Sequence, residues 1–149
     1  MQIRQLVIGL VLLLSAAPAF AQTKVVPIAG ASGAATPYHL IAANTNNSTL
    51  IKAGPHTIYT AQLSGVGSAP GYLKFYDKAT APTCGTDVPV KVLMIPAAST
   101  AANGGGSNVL LPVGAKVTLG LGICVVAGIA DNDNTSVAAT TFNINFDYQ

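Results

Sequence analysis

The sequence contains no glutamate and no tryptophan, and its only arginine is Arg4. All acidic charge rests on Asp77, Asp87, Asp131, Asp133 and Asp147. The lysines are Lys24, Lys52, Lys74, Lys78, Lys91 and Lys116, and the formal net charge is +2. These lysines are scattered. A nucleic-acid binder concentrates Lys and Arg in a patch, and an anionic membrane surface calls for a basic cluster, so neither partner is expected. Most glycosidases need two carboxyl groups flanking the scissile bond. Here only aspartates are available, at strand ends or on polar faces. The two histidines, His39 and His56, stand apart and no G-x-S-x-G accompanies them. They give neither a nucleophile-activating set nor the closely spaced ligands of a zinc site. The expectation is a protein that is not an enzyme.

Cysteine is almost absent too. Cys84 and Cys124 are the only two, and there is no C-x-x-C. One intrachain bridge between them is the expected state in an oxidising compartment. Two inert thiols are the alternative, and a reactive thiol fits poorly because Cys124 falls in an apolar strand pattern.

Only one long apolar run exists, Leu6–Leu14. Arg4 precedes it, and small residues with Pro18 follow, ending Ala19-Phe20-Ala21. This is the charged, apolar, A-x-A order of a secretory signal peptide. The run falls short of the roughly 20 residues that span a bilayer. Cleavage after Ala21 is expected, which gives a signal peptide over 1–21, a leader or edge strand over 22–37 and one domain over 38–149. The mature chain is expected in the periplasm or outside the cell, with no membrane attachment.

What the mature chain does have is alternation. In Thr141–Tyr148, Phe142, Ile144, Phe146 and Tyr148 fall on one face, and Thr141, Asn143, Asn145 and Asp147 on the other. That is a strand with one face on a core and one in water. Gly71–Lys78, Val88–Ile95 and Val117–Val126 repeat the period, and Gly120 and Gly122 suggest a bulge or a break in the last. Tyr38–Ala42, Thr49–Lys52, Thr57–Leu63 and Asn108–Leu111 are weaker strands. Turn signals lie at Asn44–Ser48, Ala53–Pro55, Val66–Gly71 and Pro112–Ala115, and flexible or polar loops at Thr80–Asp87, Ala97–Ser107 and Ala130–Val137. Short strands between closely spaced turns predict an all-β fold, a single jelly-roll-like antiparallel β-sandwich. Leu50–Leu63 and Leu110–Ile123 share an order of apolar pair, Gly-containing turn and long apolar strand, which suits two similar corners of a sandwich.

Two local features suggest ligands. Asp131, Asp133 and Thr135 place oxygens at alternating positions, as calcium loops do, but the Gly and Glu that complete such a loop are missing. A polar turn is the competing reading, and Ca²⁺ is the one cofactor considered. Tyr72 and Tyr76, beside Lys74, could stack on a sugar if exposed, against the plainer reading of strand packing. Asn46, Asn47 and Asn134 head Asn-x-Ser/Thr triplets, which matter only in a eukaryotic secretory pathway.

The stretches Gly71–Val90, Leu111–Gly114, Gly120–Gly128 and Ala130–Ala138, with an aromatic-ended last strand, follow an order and spacing that resemble a group of small, mostly uncharacterised proteins of tailed phages, prophages and bacteria. The resemblance covers Thr49–Tyr148. It implies a β-sandwich virion component of decoration or fibre type, a non-enzymatic surface or assembly module. The signal peptide and the cysteine pair depart from that pattern and suggest a module reused in the envelope or outside the cell. The size, single disulfide and Phe142–Gln149 ending are also similar to chaperone–usher pilins, which complete their sandwich with a partner's strand. Pilins, however, carry their first Cys early in the mature chain. The function expected is that of an exported structural or binding module, with a pilus- or fibre-type subunit and a carbohydrate-binding module as alternatives. The partners expected are a second copy in a homo-oligomer, a glycan or a surface protein.

Overall fold

The computed structural model describes residues 34–98 and 104–149. The expected cleavage after Ala21 and the leader strand at Lys24–Ile28 lie outside these residues. Eight strands follow in chain order: β1 (Thr36–Ile41), β2 (Thr49–Ala53), β3 (His56–Gly65), β4 (Gly71–Asp77), β5 (Lys91–Ile95), β6 (Gly105–Val117), β7 (Gly120–Val126) and β8 (Phe142–Tyr148). The segments with period-two alternation became strands, most within a few residues of their expected bounds. No helix among the described residues is long and apolar enough to cross a membrane.

The strands pair as a nest of hairpins, β4 with β5, β3 with β6, β2 with β7 and β1 with β8, all antiparallel. Alternate pairs go to opposite sheets. The first sheet has the order β1-β8-β3-β6 and the second β2-β7-β4-β5. This is the eight-stranded jelly roll, a nested hairpin wound into two facing sheets. The two similar corners lie side by side in it, because β2 pairs with β7 and β3 with β6. The Gly54 N–H donates to the Leu119 carbonyl at 2.9 Å and ties one corner to the other.

The core lies between the sheets. Ile58, Leu63, Ile144 and Phe146 come from the first sheet, and Leu73, Phe75, Leu121, Ile123 and Val125 from the second. Phe146 meets Phe75 edge-on across the gap at 5.3 Å and Tyr38 at 4.9 Å. Full burial of such a ring stabilises by roughly 1.5–3 kcal/mol.

Three expected boundaries moved. The expected turn at Pro112–Ala115 is not a hairpin turn: β6 runs through Leu111–Gly114 as a wide bulge opposite Tyr59, between the pairs Thr60↔Leu110 and Ile58↔Ala115. Gly114 permits it with φ of +71°, and a Cβ there would run into the Thr57 methyl. Pro112 is tolerated because β6 is an edge strand. The chain turns instead at Thr118–Leu119, ahead of Gly120, so the expected strand Val117–Val126 is shared between β6 and β7. The loop expected over Ala97–Ser107 is shorter, since Gly105–Ser107 already pairs with β3.

Candidate functional site

The two sheets differ in what covers their outer faces. On the second sheet, Lys74, Tyr76, Cys124 and Val126 point away from the core yet are buried. The loops after β4 and after β7 fold back over them. A disulfide joins Cys84 in the first loop to Cys124 on β7. Both cysteines pack with Tyr76 and Val126 in a small second core, against which Tyr72 rests partly buried. The loops also meet one another: a Cβ on Gly85 would lie 2.8 Å from the Asn132 carbonyl oxygen, and Gly85 takes a positive φ of +82°.

Lys74 fastens the second loop. Its ammonium donates to the carbonyl oxygens of Ala130, Asp131 and Asp133 at 2.5, 3.5 and 3.2 Å. Three donors meet three acceptors. Burial pushes the Lys74 pKa down, and the carboxylates of Asp133 and Asp131 pull it back up. The Asp133 carboxylate is occupied locally, accepting from the Gly128 N–H at 3.0 Å, the Thr135 N–H at 3.1 Å and the Thr135 hydroxyl at 3.0 Å. Burial alone would raise the Asp133 pKa, but these donors hold it below the ordinary carboxylate value.

These contacts bear on two expectations. The backbone oxygens of Ala130, Asp131 and Asp133 hold the lysine ammonium, and the Asp133 carboxylate is taken by Gly128 and Thr135, the arrangement of a polar turn. No group of three or more His, Cys, Asp or Glu suited to a metal occurs among the described residues. Tyr76 cannot stack on a ligand: it is 0 % exposed, its hydroxyl has no hydrogen-bond partner among the described residues, and burial pushes its pKa up to about 12. Tyr72 is partly exposed but leans on the disulfide core.

Among the described residues, the first sheet leaves its outer face open. Since Tyr38 and Leu40 pack inward, Pro37, His39 and Ile41 point outward, and the register aligns them with β8, β3 and β6 in three cross-strand rows. The rows are Pro37–Asp147–Thr60–Leu110, His39–Asn145–Gln62–Asn108 and Ile41–Asn143–Ser64–Gly106. With strands about 4.8 Å apart, each row runs about 14 Å. The middle row is entirely polar. Two depressions adjoin it, of about 270 and 410 Å³, and Gln62 and Asn145 line both.

Part of this face is pre-ordered. His39 Nε2 lies 3.1 Å from the Asn143 side-chain oxygen, which also accepts from the Asn145 amide nitrogen at 3.2 Å. The Thr60 hydroxyl donates to Asp147 at 2.6 Å. Gln62 and Asn108 are exposed and make no side-chain hydrogen bond among the described residues, so their amides remain available. Asp147 is the only acidic residue in the three rows. Lys116 lies beyond the bulge, opposite Thr57. His56 serves elsewhere, stacked edge-on against Tyr148 at 5.5 Å with Nε2 3.2 Å from the Ala53 carbonyl oxygen.

The chain matches no family model, curated protein or solved structure. The open face must therefore be read from its own chemistry. Its signal was present in the sequence as the alternating polar residues of Thr141–Tyr148. What the sequence did not show was which other polar residues the register would bring beside them.

Proposed function

We propose that the chain is an exported, non-enzymatic binding module and that the outer face of the first sheet is its recognition surface. The observation that carries this reading is the continuous polar row His39–Asn145–Gln62–Asn108, flanked by two depressions on a sheet face that no described loop covers. Binding sites use a few placed polar groups in a concave surface, and this face supplies both. The disulfide and the signal-peptide pattern support an extracellular or periplasmic setting. The resemblance to phage surface proteins supports a surface or assembly role. Fractionation of expressing cells tests the reading. The protein is expected in periplasm or medium, beginning at Gln22, and to co-sediment with insoluble envelope material from the same cells. Retention in the cytoplasm with an intact N-terminus, or failure to co-sediment, would overturn it.

A further inference from the structure

We infer that the open face binds a neutral glycan chain lying across the strands along the Asn145–Gln62–Asn108 row; this rests on the recognition surface proposed above. Charge limits the partner first. The face carries no lysine within its three rows, and its one carboxylate, Asp147, is already engaged by Thr60. Within the rows a polyanion would meet no lysine or arginine, Lys116 lying beyond the bulge, and a polycation would meet a single shared carboxylate. A neutral partner is the one that this face does not penalise.

Hydrogen-bonding chemistry narrows the class. Each Asn or Gln amide offers two donors and two acceptor lone pairs. Vicinal hydroxyls, each both donor and acceptor, can engage the two ends of one amide. Asn145 is oriented by its bond to Asn143, while Gln62 and Asn108 stand beside it without a side-chain partner among the described residues. The flanks are suited to the C–H faces of a sugar ring: Pro37 and Leu110 close the row through Asp147 and Thr60, and Leu110 is 74 % exposed. The three amides span about 10 Å, and the full row with His39 about 14 Å, set by strand spacing, which favours a chain over a single sugar. A peptide strand is less suited, because this is the face of a sheet and not its hydrogen-bonding edge.

The test is an NMR titration of the disulfide-bonded domain, following side-chain amide signals. Cellohexaose, maltohexaose, mannohexaose and chitohexaose serve as neutral probes and hexagalacturonate as the anionic one. At least one neutral hexasaccharide is expected to shift the amides of Gln62, Asn145 and Asn108, and hexagalacturonate is not. Gln62→Arg is expected to weaken that binding at least tenfold, with an unchanged backbone spectrum. The inference is overturned if no neutral probe shifts these amides, or if the shifts fall elsewhere. Co-sedimentation of Gln62→Arg with envelope material separates the two claims. If the sugars fail but the substitution still abolishes co-sedimentation, only the glycan assignment falls. If co-sedimentation is also unaffected, the recognition surface falls with it.

Discussion

Lys74 is a buried cation whose three acceptors are all backbone carbonyls of one loop. Lys74→Met keeps most of the side-chain volume and removes the donors. Losing hydrogen bonds from a charged donor costs about 1.5–3 kcal/mol, so chemical denaturation should show a loss of that size, and amide exchange should quicken over residues 127–137. An unchanged stability would mean that the ammonium does not hold the loop. Tyr76 makes the opposite prediction. Its hydroxyl is buried without a partner among the described residues, and a polar group in that state is a cost. Tyr76→Phe should raise stability by about 1 kcal/mol; a clear loss would show that the hydroxyl has a partner. Asn47 explains why one glycosylation triplet is a structural element instead. Its amide oxygen accepts from the Ala43 N–H, its amide nitrogen donates to the carbonyls of Ala43 and Thr45, and its φ is +51°.

At the level of elements, the alternation of side chains located the strands, and the exceptions have physical causes. Period-two patterning identifies two faces but not what lies over each. The outward residues of β4 and β7 include Tyr76, Cys124 and Val126, an apolar set that water would not favour, and the cysteine pairing itself pins a loop over them. Those two facts together were legible and would have argued against Tyr76 as a ligand platform. The bulge at Leu111–Gly114 was not legible, because a Pro-containing turn and a bulge in an edge strand use the same residues. The bridge closes a loop with a sequence separation of 40. Its loss in a Cys84→Ala/Cys124→Ala variant should lower stability by about 2–4 kcal/mol in the loop-entropy account. Quicker amide exchange is expected first in the loop that carries Cys84. A variant as stable as the parent would show that packing alone holds that loop.

For the whole molecule, acid sensitivity follows from carboxylates that act as staples between elements. Asp77 on β4 accepts from the Leu119 N–H, the hydroxyl and N–H of Thr118 and the Gly120 N–H, holding the turn between β6 and β7, and these bonds keep its pKa below the ordinary 3.8. Asp87 is lowered by the hydrogen bond from Lys78 and by the Thr83 N–H. Carboxylates with depressed folded-state pKa values bind fewer protons folded than unfolded, so their stabilisation is present above the unfolded value and lost as pH falls through the folded ones. The melting temperature should be flat from neutral pH to about 5 and fall below about 4, and Asp77→Asn should flatten part of that fall. The jelly roll itself was within reach of the sequence, since the strand number, the corners and the alternation all pointed to it. The identity of the open face was not, because it depends on β1, β8, β3 and β6 meeting from distant parts of the chain. That face is the central claim, and the most direct test sets one substitution on it against one on the covered face. Gln62→Arg should abolish co-sedimentation with envelope material at an unchanged melting temperature, while Tyr72→Ala should lower the melting temperature and leave co-sedimentation intact. Loss of co-sedimentation in Tyr72→Ala with Gln62→Arg unaffected would place recognition on the other sheet and contradict the account.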